Sequence, residues 1–126
     1  MKFSIKARLK SFRYAINGLA LVWKSQHNFR IHLAVFSLVL LAGFLCRITL
    51  PEWCLVLLVS ALVMGLEIIN SAIEMLVDLV SPDFHEKAGK IKDLCAAAVL
   101  LAAVTAFITG VLVFGKYLIS LLKSIE

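Results

Sequence analysis

The chain has 126 residues, of which 62% are hydrophobic and 17% charged, with a net charge of +5. Soluble domains are about 45–50% apolar and about 25% charged, and so short a chain has little interior to hide the excess. A soluble fold is excluded, lipid must solvate part of the surface, and the length allows a single domain. The charge is unevenly placed. Residues 1–30 carry Lys2, Lys6, Arg8, Lys10, Arg13, Lys24 and Arg30 and no acid, directly before a hydrophobic segment. That placement favours anionic headgroups and cytoplasmic retention over nucleic acid as a partner.

The first predicted element covers residues 4–24. Ile5, Leu9, Phe12, Ile16, Leu19 and Trp23 recur at spacings of three and four, while Lys6, Lys10, Arg13, Asn17 and Lys24 take another face. The pattern is that of an amphipathic helix lying in the membrane interface. The second element, residues 31–50, is uncharged up to Cys46, meets Arg47 and stops at Pro51. It is long enough to span, since about 20 residues suffice, with Arg47 snorkelling to the far interface. A short break returns the chain antiparallel into the third element, residues 53–80. Its first half is apolar apart from Ser60, and its second half holds Glu67, Asn70, Ser71, Glu74 and Asp78. A polar loop over residues 81–93 leads to a third span, residues 94–115, which carries no charge, and then to a short amphipathic tail.

Cys46, Cys54 and Cys95 sit in or beside apolar segments without Cys-x-x-Cys spacing, and read as small packing residues. The N-terminus has no cleavable-signal pattern. Trp23 and Trp53 read as interfacial anchors. Keeping the basic arm inside puts the N-terminus in the cytoplasm, the loop lysines Lys87, Lys90 and Lys92 also inside, and the C-terminus outside.

The polar half of the third element then falls at the cytoplasmic end. At 100° per residue, Glu67, Asn70, Glu74 and Asp78 have azimuths of about 0°, 300°, 340° and 20°. They form one stripe on a helix otherwise suited to lipid. A charge near mid-membrane costs at least about 2.5–3.5 kcal/mol on insertion scales, so the stripe must face protein, water or cations. It continues into His85, Lys92 and Asp93. At the same membrane level lies the junction Gln26-His27-Asn28-Phe29-Arg30-Ile31-His32. Hard oxygen ligands favour Mg²⁺, which binds through one or two carboxylates plus substrate phosphates. Phosphoryl transfer needs a metal, cations for the phosphates and a group to take the proton of the attacking hydroxyl. One carboxylate suits the base, another the metal, and Lys92 a phosphate. The same stripe also fits a cation-coupled transporter or a polar seam between subunits. No Walker loop or protein-kinase signature is present.

The run Glu67-Ile68-Ile69-Asn70-Ser71-Ala72-Ile73-Glu74-Met75-Leu76-Val77-Asp78 resembles the signature of the prokaryotic diacylglycerol kinase and undecaprenol kinase family. Phe84-His85, the segment Ala88-Gly89-Lys90-Ile91-Lys92-Asp93 with the alanines Ala96 to Ala98, and the stretches 11–19 and 28–32 match as well. The resemblance implies an all-α integral membrane protein of the bacterial inner membrane: a homotrimer with three spans per subunit, an N-terminal surface helix and active sites between subunits. It implies ATP as co-substrate, Mg²⁺ as cofactor and a lipid alcohol, diacylglycerol or undecaprenol, as acceptor. Carried over by position, Glu67 takes the lipid hydroxyl proton, with Asn70 beside it. Glu74 holds Mg²⁺ and the nucleotide. Tyr14, Asp83, Phe84, His85, Lys92 and Asp93 contact ATP, Gly18 and Arg30 border the lipid substrate, and Asp78 has a supporting role. Two positions depart from the family pattern. Gln26 stands where a second metal-binding glutamate is usual, and Ala7, with Arg8 adjacent, replaces a first-turn arginine.

Overall fold

The computed structural model describes residues 5–124, and side chains from residue 8 onward; Lys2, Ser4 and the last two residues of the expected tail lie outside that range. Four helices follow in chain order: α1 (Ile5–Ser25), α2 (His27–Cys46), α3 (Leu50–Val80) and α4 (Glu86–Lys123). The last three are long and apolar enough to cross a membrane.

α1 and α2 are separated by a single residue. Gln26 adopts an extended conformation (φ −109°, ψ 115°) that breaks the helix, while its N–H still donates to Val22 O at 2.8 Å. α2 ends four residues before the expected boundary. Arg47 takes a left-handed conformation (φ 52°), and the N–H groups of Arg47 and Ile48 turn back to Phe44 O and Gly43 O at 3.2 Å each. These bonds satisfy carbonyls that the helix end would leave orphaned.

Pro51 does not delay the next helix, contrary to the expected start at residue 53. It occupies the first turn of α3, where its missing N–H removes nothing. The Glu52 carboxylate closes the start by accepting from Thr49 N (2.8 Å) and Thr49 Oγ1 (2.9 Å). The expected loop over residues 81–93 shrinks in the same way. His85 caps α4 through Nδ1, which accepts from Lys87 N at 3.2 Å, and Glu86 pairs with Lys90 one turn on. At its far end α4 runs through Gly115 to Lys123, because that glycine does not take the positive φ with which a glycine ends a helix. The residues assigned to a separate tail therefore extend the third span.

At about 1.5 Å per residue, α4 is roughly 57 Å long and α3 roughly 46 Å, against a hydrocarbon core of about 30 Å. Both helices must project beyond it. α3 is central, packing most heavily on α4 and also on α2. A cleft of about 710 Å³ lies over α3 between α2 and α4, lined by Val35, Phe36, Val63, Met64, Ala106 and Phe107 among others. At the Trp53 end, Ile48, Val56 and Val113 form a buried cluster with Trp53 and Tyr117 against it. Trp53 lies over Gly43 and meets Phe44 with ring centroids 5.0 Å apart. α1 packs on α2, and Val22 is its buried residue. Most large apolar side chains remain exposed, which is the surface a protein leaves for lipid or for further subunits.

Candidate active site

In α3 the apolar face at Val56 and Val63 gives way, one turn further on, to a polar one. Glu67 and Ser71 are each 2% exposed and Asn70 is 7% exposed. A buried polar group is costly unless it is hydrogen-bonded, so the partners of these three define the site. Ser71 Oγ donates to Glu67 O at 2.8 Å, the back-bond a helical serine makes when it has nowhere else to turn. Asn70 Nδ2 donates to Glu74 Oε1 at 3.2 Å. Its carbonyl oxygen, Oδ1, is buried with no hydrogen-bond partner among the described residues.

The Glu67 carboxylate looks across to α2. The Asn28 amide and the His32 ring lie close enough to act on it electrostatically, as does the Glu74 carboxylate on its own helix. Asn28 and His32 are four residues apart and so share a helix face. Phe29 between them is buried to 4% exposure and seats the start of α2. The one-residue break at Gln26 thus fixes where α2 begins and which of its polar residues meet α3.

Beyond Glu74 the stripe reaches Asp78, whose Oδ1 is ion-paired with Lys92 Nζ from the second turn of α4. The loop residues are open to solvent. Phe84 is 97% exposed, Asp83 and Asp93 are exposed, and His85 serves as the cap of α4. On α1, Tyr14 is exposed with Lys10 Nζ 5.9 Å from its ring centroid, and Gly18 has open space around it. Gln26 is half-buried and makes no side-chain capping bond. Arg30 is exposed, its Nη2 3.4 Å from His27 Nδ1.

The structure therefore buries Glu67 and Asn70, joins Asn70 to the half-buried Glu74, and pairs Lys92 with Asp78 one turn further along the stripe. It leaves Tyr14, Gly18, Asp83, Phe84 and Asp93 exposed. Among the described residues, no three or more His, Cys, Asp or Glu side chains gather as a metal cage. What is present is one accessible carboxylate, Glu74, beside a partnerless amide oxygen, Asn70 Oδ1. That donor set suits a hard cation completed by substrate phosphates, which is how Mg²⁺ is usually held.

Sequence reasoning missed three features. It named His32 only as part of the junction at residues 26–32, yet the His32 ring lies near enough to Glu67 to act on its carboxylate. It drew no role for Asn28. It gave Asp78 and Lys92 separate parts, and they are partners. The four-residue spacing of Asn28 and His32 was the available signal for the first two.

Comparison with known proteins accords with this arrangement. The family profile described as prokaryotic diacylglycerol kinase matches residues 13–114. The chain is 37% identical over 105 residues to undecaprenol kinase of Bacillus subtilis (strain 168), covering 83% of this chain and 85% of that relative. It is 44% identical over 103 residues to diacylglycerol kinase of Synechocystis sp., covering 81% of this chain and 59% of that longer relative. It is 39% identical over 104 residues to diacylglycerol kinase of Escherichia coli (strain K12), covering 80% and 83%. These relatives lend no support to the transporter reading of the carboxylate stripe. An acid–amide–acid stripe that begins buried on a helix long and apolar enough to cross a membrane, inside a match that runs over most of the chain, identifies this protein as a member of the prokaryotic diacylglycerol kinase family, a family of lipid kinases.

Proposed function

We propose that this chain transfers the γ-phosphate of ATP to the hydroxyl of a membrane lipid at the cytoplasmic face of the bacterial inner membrane. The acceptor is diacylglycerol, giving phosphatidic acid, or undecaprenol, giving undecaprenyl phosphate. The observation that carries this reading is the burial of Glu67 and Asn70 on one face of a spanning helix, with Glu74 one turn further on. If the hydrocarbon core starts near Trp53, a core about 30 Å thick extends about 20 residues along α3. Glu67 and Asn70 then lie inside it, and Glu74 and Asp78 at its edge. A lipid hydroxyl can reach the first pair from the bilayer while a water-soluble nucleotide reaches the second from the cytosol.

In this reading the chain is one membrane-embedded domain, with α1 as a surface helix and α2, α3 and α4 as spans, assembled as a homotrimer whose sites lie between subunits. The large exposed apolar surface supports such assembly. Glu67 takes the proton of the lipid hydroxyl. The lipid oxygen bonds to the γ-phosphorus, the bond to the β–γ bridging oxygen breaks, and ADP leaves with that electron pair. Asn28 and His32 orient the carboxylate from α2. Glu74 and Asn70 Oδ1 would hold Mg²⁺, with Gln26 as a further neutral oxygen donor; bound there, the ion neutralises phosphate charge. Lys92 contacts the phosphates. Tyr14, Asp83, Phe84, His85 and Asp93 bound the nucleotide, and Gly18 and Arg30 the lipid headgroup.

The test is transfer of radiolabelled γ-phosphate by the purified protein in lipid, with diacylglycerol and undecaprenol offered side by side. Labelled phosphatidic acid or undecaprenyl phosphate is the expected product. Absence of any labelled lipid in a folded preparation overturns the reading.

A further inference from the structure

The ion pair between Asp78 and Lys92 links the end of α3 to the start of α4, across the loop at 81–85. The Asp78 side chain is 65% exposed and that of Lys92 37%, and a pair so open to solvent adds little to stability. Its effect is on position. Lys90, two residues away, pairs with Glu86 on its own helix and stays on the α4 surface. Lys92 instead turns its ammonium toward α3. Asp78 continues the line of Glu67 and Glu74 and lies one turn, about 6 Å, beyond Glu74. The pair thus places a cation at the edge of the buried group, at the height where nucleotide phosphates would sit.

We propose that Asp78 is a positioning residue that holds the Lys92 ammonium ready for the phosphates of a nucleoside triphosphate. The proposal rests on the kinase reading above and on Lys92 as a phosphate contact. An ammonium has three donors. Asp78 Oδ1 takes one, leaving two to reach phosphate oxygens. A lysine has among the largest rotamer freedoms of any side chain, so a tether that already restricts it lowers the ordering cost of binding. Asp78 acts through Lys92 and touches no reacting atom.

The experiment measures binding of a non-hydrolysable ATP analogue with Mg²⁺ to the full-length protein in lipid nanodiscs, alongside steady-state kinetics. Asp78→Asn should weaken analogue binding by about three- to tenfold, the scale of part of one charge-assisted hydrogen bond, and raise KM for ATP more than it lowers kcat. Asp78→Glu, which can still reach Lys92, should restore most of the affinity. In a Lys92→Ala background, Asp78→Asn should cost nothing further. Circular dichroism and oligomer size identify any variant that fails to fold, and the Asp78→Glu comparison then decides. Wild-type affinity or tighter binding in Asp78→Asn overturns the proposal, as does an undiminished loss in the Lys92→Ala background. A wild-type protein that binds the analogue with this pattern but phosphorylates no lipid alcohol supports Asp78 and overturns the kinase reading. One that binds no analogue overturns both.

Discussion

At the Trp53 end of α3, the Glu52 carboxylate meets four donors: Thr49 N, Thr49 Oγ1, Tyr117 OH and the Lys116 ammonium. At the other end, Glu67 and Asn70 are more deeply placed yet poorly matched, and Asn70 Oδ1 has no hydrogen-bond partner among the described residues. Both ends put acids on one helix between apolar neighbours. The Trp53 end spends its polar groups on itself, tying α3 to α4 through Tyr117 and Lys116. The Glu67 end keeps polar capacity unspent in a place where unspent capacity is costly. A saturated cluster describes a clamp, whereas an unsaturated one has the free polar capacity that the proposed site requires.

The largest effect should come from the unsaturated end. Glu67→Gln and Glu74→Gln should each lower lipid phosphorylation by at least about 10²-fold, the scale of losing a positioned base, with thermal unfolding little changed. Retention of full activity by both would remove the distinction between the two ends. Next, the packing at the Trp53 end should resist change. A Cβ at Gly43 would meet the Trp53 ring at 2.6 and 2.9 Å, so Gly43→Ala should destabilise by about 1–3 kcal/mol, as overpacking does, readable as a lower Tm in detergent. An unchanged Tm would mean that Trp53 moves freely.

Glu52→Gln should then lower Tm through loss of the Lys116 pair and weaker bonds to Thr49 and Tyr117, while KM for ATP stays near wild type. A large rise in KM would show that the two ends are coupled through α3. The smallest effect expected is from Gln26→Glu, which adds a charge at the position where the sequence resemblance implies a second metal-binding glutamate. It should lower the Mg²⁺ concentration needed for half-maximal activity by several-fold. No change would place residue 26 outside the metal shell.

Much of the fold was legible in the sequence because a bilayer leaves so few options. Uncharged runs must be helices, since only a helix satisfies its own backbone in lipid. The carboxylate stripe was legible for a related reason: period and charge together exclude a lipid-facing position. Element ends were less legible. Pro51 and Gly115 read as breaks, but the first sits where a helix start tolerates it and the second keeps a negative φ inside α4. The loop at 81–93 read as coil from its mixed charges, which instead form the first two turns of α4.

Composition, periodicity and the Glu-x-x-Asn-x-x-x-Glu spacing determined by themselves that this chain spans a membrane with an acidic stripe on its central helix. Which groups meet that stripe was decided only by tertiary structure. Asn28 and His32 come near enough to act on Glu67 because a single extended residue, Gln26, sets where α2 begins. Lys92 reaches Asp78, and Tyr117 reaches Glu52 from 65 residues away, because α4 packs along the length of α3. Local spacing specifies the face a residue occupies on its own helix. The identity of its partner depends on the register between helices, which is set by the packing of side chains far apart in the chain.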